Sequence, residues 1–147
     1  MSTTPPRLIN VPVPELGTFT PHTYKGGCHC GRIKFSIVAP PPDEIVLTAC
    51  NCSFCSARGM RMIYMKQDRL TVTKGSFDDM TEYRYNTRTG QHWFCPICGI
   101  AVGGYYQGTY TINMRCMDDV DVESMKLFWI DGKNLIPRID GKADSET

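Results

Sequence analysis

The chain lacks any marked excess of one charge, any long apolar run and any internal repeat. Its 147 residues carry 16 Lys and Arg against 15 Asp and Glu, a formal charge of +1. Bulk nucleic-acid binding calls for a basic patch or arm. Here the cations are scattered, with no basic run, so that class is excluded. No stretch approaches the roughly 20 apolar residues of a membrane helix. The opening Met-Ser-Thr-Thr-Pro-Pro-Arg is also not the apolar segment of a signal peptide. The expectation is a cytoplasmic protein with no membrane partner. Charged residues make up 21% and hydrophobic ones 41%, the balance of a folded domain rather than a disordered segment. The length suits one domain and is short for two.

Helical periodicity is also missing beyond two or three turns, and what is present has strand character. Ile33, Phe35 and Ile37 alternate with Arg32, Lys34 and Ser36, the period-two pattern of a half-buried strand. Pro40-Pro41-Pro42 ends it, because proline cannot donate to a sheet ladder. Further strands are predicted over 44–49, 60–65, 70–73, 82–85, 105–114 and 126–130, with a short helix or turn over 118–125. The fold class predicted is mainly β with little helix. Residues 1–23 read as a loosely held arm with room for one edge strand, 24–136 as the folded domain, and 137–147 as a polar tail.

Cysteine is the residue the chain does not lack. Seven of its eight cysteines form three clusters: Cys28-His29-Cys30-Gly31, Cys50-Asn51-Cys52-Ser53-Phe54-Cys55 and Cys95-Pro96-Ile97-Cys98-Gly99. Soft thiolates crowded this closely suit zinc. Seven thiolates would subtract seven charges and two zinc ions restore four, so the formal +1 becomes −2. In a reducing compartment such clusters bind metal or act in redox chemistry rather than forming disulfides. Cross-linking among the clusters is the bland alternative, although Cys-x-Cys neighbours are poor disulfide partners for each other.

The first and third clusters share a grammar, with Gly directly after the second cysteine. Such turns aim backbone N–H groups at sulfur, and Gly accepts the φ values required. Cys28, Cys30, Cys95 and Cys98 therefore pair into one closed, structural zinc site. Cys50, Cys52 and Cys55 form a second group that is one ligand short. Left open, it can do chemistry; closed by Cys116, His29, His92 or a carboxylate, it is structural. His29 reads as a solvated surface residue. Arg58 and Arg61 are candidate holders of an anionic group or simply a solvated face. Cys116 reads as a small buried residue. Glu82, Asp78 and His92 are the titratable groups considered for proton transfer, and none is assigned. Trp93, Tyr105, Tyr106 and Trp129 read as core.

These cysteine motifs, with Ile33 and Phe35 after the first, Phe94 before the third, Asn113-x-Arg115-Cys116 and Asp131-Gly132, resemble the glutathione-dependent formaldehyde-activating (Gfa) family, which includes centromere protein V. The match spans about residues 24–134. The resemblance implies a β-tent of antiparallel sheets, a structural zinc on Cys28, Cys30, Cys95 and Cys98, and a catalytic zinc on Cys50, Cys52 and Cys55. It also implies a carbon–sulfur lyase-type enzyme acting on a thiol adduct or small carbonyl, the family activity being formation of S-hydroxymethylglutathione. The expected partner is then a small molecule, glutathione or another thiol; the sequence gives no indication of oligomeric state. A non-enzymatic zinc module that binds a protein is the competing function. A thiol redox sensor built on Cys50, Cys52 and Cys55 is a third.

Overall fold

A computed structural model describes residues 11–86, 88, 90–106 and 108–135. The expected 137–147 tail and the first ten residues of the expected arm lie outside them. The architecture is mainly β, in two sheets. The first sheet is antiparallel, with β1 (His22–Gly27) beside β2 (Lys34–Ala39) and β2 beside β5 (Leu70–Lys74). The second has seven strands. Its order is β10 (Lys126–Ile130), β3 (Val46–Cys50), β4 (Met62–Met65), β9 (Thr109–Asn113), β8 (Ala101–Tyr106), β7 (Gln91–Phe94) and β6 (Thr81–Tyr83). Pairing is antiparallel except for β10 against β3, which is parallel.

The alternation read in β2 is the reason for the packing. Ile33, Phe35 and Ile37 are fully buried, while Lys34 faces out. They meet Leu47, Met65, Val102 and Ile112 of the large sheet in one buried cluster. Burying each such side chain contributes roughly 1.5–3 kcal/mol.

The expected single strand over 105–114 is two. The chain reverses between Tyr106 and Thr109, which pair directly, with Gly108 at φ 80°. β-branched and aromatic residues on both sides of the turn made the run look continuous. The 118–125 segment contains one 3-10 turn at Val122–Ser124. Strand β7 and the helices α1 (Ser53–Arg58) and α2 (Gly132–Leu135) had no sequence expectation. Trp93 is core as expected, but Trp129 is 62% exposed. It sits on β10, an outer strand of the large sheet.

Candidate metal centres and the adjoining cleft

Two hairpin-like turns build the first sulfur group. After β1, Cys28 N–H donates to Ile33 O and Gly31 N–H to Cys28 O. Before β8, Cys95 N–H donates to Ile100 O and Gly99 N–H to Cys95 O. Gly31 sits at φ 81° and Gly99 at φ 78°, the left-handed region that a side chain resists. Each turn aims a backbone N–H at sulfur: Ile33 N to Cys28 Sγ at 3.4 Å and Ile97 N to Cys95 Sγ at 3.4 Å. Burial pushes the Cys98 thiol up. Backbone N–H groups of Ile100 and Cys30, with the Cys95 and Cys30 thiols, outweigh it and bring Cys98 to about 6.

The sulfurs of Cys28, Cys30, Cys95 and Cys98 all lie within 4.8 Å of one another. Cys28 and Cys30 sulfurs stand 3.7 Å apart, and Cys30 and Cys95 sulfurs 3.6 Å. Two sulfurs each about 2.3 Å from one tetrahedral zinc stand about 3.8 Å apart, so the donor set fits a four-coordinate ion. All eight cysteines are free thiols in this structure.

The second group is local. Cys50 ends β3, and Cys52 is the N-cap of α1, its Sγ accepting from Cys55 N at 3.4 Å. Gly59 in the left-handed conformation ends the helix. That glycine is the one local signal of α1 in the sequence, where the closely spaced cysteines otherwise break any helical period. Sulfurs of Cys50, Cys52 and Cys55 lie within 4.8 Å of one another, and among the described residues no fourth His, Cys, Asp or Glu donor joins them. Cys116, His29 and His92 are not in the group. The Cys52 thiol is held far down by hydrogen bonds from Cys50, then Cys55, and by the Cys55 and Phe54 N–H groups. The Cys52 contact, with burial, pushes Cys50 up although the Cys55 contact opposes it, and the Cys50 and Cys52 contacts, with burial, push Cys55 up.

The scaffold around this loop comes from distant parts of the chain. Asn51, between two of the cysteines, donates through Nδ2 to Asp131 Oδ1 at 2.8 Å and accepts from Lys133 N at 3.0 Å. Its own N–H donates to Ile130 O. Arg115 Nε reaches Gly59 O at 2.8 Å, closing the far end of α1, and Arg115 pairs with Glu123 at 2.8 Å. Asn113 in turn accepts from Arg115 N and anchors to Ala101 O. Asn113 and Arg115 were flagged only through resemblance, and Asp131 through resemblance and as half of a turn dipeptide with Gly132; Asp131 and Arg115, the latter steadied by Asn113, fix the two ends of the three-cysteine segment.

Rings wall this group. Phe54 packs against His92 at 4.7 Å, Tyr85 at 4.8 Å and Tyr83 at 5.6 Å between centroids. Burial pushes the Tyr85 hydroxyl up, and Cys52 adds to this, partly through a side-chain hydrogen bond to Tyr85. Burial, then the Arg58 charge, brings His92 down to about 4, so the imidazole is neutral near pH 7. The Arg58 guanidinium lies 4.4 Å from the Phe54 centroid and 5.4 Å from that of Phe94.

Arg58 also opens onto a cleft of about 810 Å³. Lys34, Arg58 and Arg115 line it against a single carboxylate, Asp118, with exposed His29 at its edge and half-buried Cys116 within. The Cys116 thiol donates to Asn113 O at 2.9 Å, and burial pushes it up to about 12. Arg61 turns elsewhere, toward Met60 O and the Trp129 ring. Glu82 pairs with Arg84, and Asp78 lies in a different hollow.

The sequence pattern of the glutathione-dependent formaldehyde-activating enzyme family matches residues 23–130. The chain belongs to that family. A crystal structure of a Rhodobacter sphaeroides protein is also similar, with 29% identity and a TM-score of 0.61. The similarity covers 72% of this chain and 99% of that one. In this Gfa-family chain both sulfur groups fall inside the matched region. No helix among the described residues is long and apolar enough to cross a membrane.

Proposed function

We propose that this Gfa-family protein is a zinc-dependent, carbon–sulfur lyase-type enzyme of the cytoplasm that joins a thiol to a small carbonyl compound, with glutathione and formaldehyde the first pair to test. Cys28, Cys30, Cys95 and Cys98 hold a structural zinc; Cys50, Cys52 and Cys55 hold the catalytic one. In the forward direction the thiol sulfur forms a bond to the carbonyl carbon, and the thiol proton ends on the new hydroxyl. Zinc bound by the three cysteines would supply Lewis acidity and stabilise a thiolate at neutral pH.

The rest of the work falls to the chain. Lys34 and Arg58 attract a substrate carboxylate into the cleft, and Arg58 is kept in place by the Phe54 and Phe94 rings. Phe54, Tyr85 and neutral His92 limit water around the three sulfurs. Tyr85 engages Cys52, orienting a metal ligand from outside the coordination shell.

The observation that carries the proposal is that Cys50, Cys52 and Cys55 have no fourth donor among the described residues. A protein-interaction module with two closed zinc sites has no use for that gap. The experiment is metal analysis of wild type and Cys52→Ser, followed by assay of S-hydroxymethylglutathione formation. Two zinc ions falling to one, with loss of turnover, is expected. Unaltered turnover in a variant holding one zinc would overturn the mechanism. X-ray absorption showing four sulfurs around both ions would favour the interaction module.

A further inference from the structure

Strand β7 has two faces. His92 and Phe94 point toward α1 and the three-cysteine group, whereas Gln91 and Trp93 alternate to the opposite side. On that second side lies a hollow of about 360 Å³, at the small end of ligand-sized pockets. Phe77, Trp93, Tyr105 and Tyr110 line it. None of these rings has a part in the proposed reaction.

We propose that this hollow binds a small organic ammonium ion, a quaternary or methylated amine, through its ring faces and the Asp78 carboxylate. Tyr105 and Tyr110 are cross-strand partners and meet at 66° with centroids 4.9 Å apart. Trp93 and Tyr110 are inclined at 47°. Rings set at such angles form a corner, and a corner of ring faces surrounds a compact cation better than it accepts a flat ring. The one parallel pair, Phe77 on Trp93 at 4.5 Å and 17°, is already closed against itself. No sandwich slot is therefore left there for a planar ligand.

Charge makes the choice of cation. No Lys or Arg lines the hollow among the described residues, and Asp78 is the lone charged side chain there. A capped turn holds it: Ser76 Oγ accepts from Asp78 N at 3.1 Å, and Ser76 N–H donates to Asp79 Oδ2 at 3.1 Å. The Asp78 carboxylate itself has no hydrogen-bond or ion-pair partner among the described residues. Anions are thus disfavoured by the same wall that favours an ammonium group. The cleft on the other face has the opposite balance, three cations to one carboxylate.

The test is calorimetric and fluorescence titration of the full-length, zinc-loaded protein with choline and with its neutral isostere, 3,3-dimethylbutan-1-ol. Trp129→Phe serves as the background, so that emission reports Trp93 alone. Saturable choline binding with Kd on the order of 1 mM is expected, with the alcohol about tenfold weaker. Tyr105→Leu should weaken choline about tenfold and Asp78→Asn about threefold, with zinc content and melting temperature unchanged. Equal affinity for choline and the alcohol, no saturable choline binding, or unchanged binding in Tyr105→Leu would each overturn the proposal. Asp78 is exposed, so Asp78→Asn leaves the ring cluster in place, and choline binding unchanged in that variant would also overturn the proposal.

Discussion

The four-sulfur group draws together residues 65 or more positions apart, whereas the three-sulfur group is made by six consecutive residues. This difference separates stability from chemistry. An ion that ties distant segments removes much of the freedom of the unfolded chain. An ion held by one short segment constrains little, since the fold already places its ligands. The first group contains its own scaffold, two N–H-donating turns. The second borrows its scaffold through Asn51, Asp131, Lys133 and Arg115, and so is shaped by the finished fold. The first can therefore act as a structural staple, and the second as a prepared site.

The largest effect should come from removing one staple ligand. Structural zinc contributes on the order of 10–16 kcal/mol, against a net domain stability of about 5–15 kcal/mol. Cys98→Ser should yield insoluble or unfolded protein by circular dichroism and soluble yield. Cys52→Ser should fold normally. The comparison breaks if both variants unfold or if both fold.

Graded chelation sharpens the same contrast. One zinc should leave first, taking activity with it while the circular dichroism spectrum stays native. Loss of the second should coincide with unfolding. Zinc release followed alongside ellipticity checks the order, and a single concerted release with unfolding would mean that both ions staple.

The sequence revealed the staple more fully than the site. Gly31 and Gly99 follow cysteines directly, so the need for left-handed backbone and N–H···S bonds could be read from local pattern. The burial of Ile33, Phe35 and Ile37 was equally local, a matter of strand period. The three-cysteine segment was visible, but its surroundings were not. Tyr85 lies 30 residues beyond Cys55 and Asp131 80 beyond Asn51, and neither is marked by composition or spacing. Only the pairing of β7 with β6 and of β10 with β3 brings them near. The split of 105–114 into a hairpin was hidden because residue preference on either side of Gly108 is the same. Trp129 was misread because hydrophobic character does not reveal that β10 lies at an edge.

A smaller effect should follow from loosening the borrowed scaffold. Asn51→Ala removes the hydrogen bonds to Asp131 and Lys133 without touching a sulfur. Outer-shell changes typically cost 10–100-fold in metal affinity or activity. Competition with a zinc indicator should show one site weakened by about tenfold or more and the other unaltered. Weakening of both would mean that the two regions are coupled.

The smallest expected effect distinguishes the cleft from the metal. Arg58→Ala removes a guanidinium lying over Phe54 and facing the cleft, but no proposed ligand. A partly desolvated cation–ring contact contributes about 1 kcal/mol, and the lost charge also weakens carboxylate capture. KM for glutathione should rise by about fivefold or more, kcat should change less, and zinc content should stay at two. The control is a thiol without carboxylates, such as 2-mercaptoethanol, whose KM should hardly move. If both thiols suffer alike, Arg58 acts through the three-sulfur group and not through the substrate. The cleft would then belong to the scaffold, and the contrast between the two sulfur groups would rest on the count of donors among the described residues, four against three.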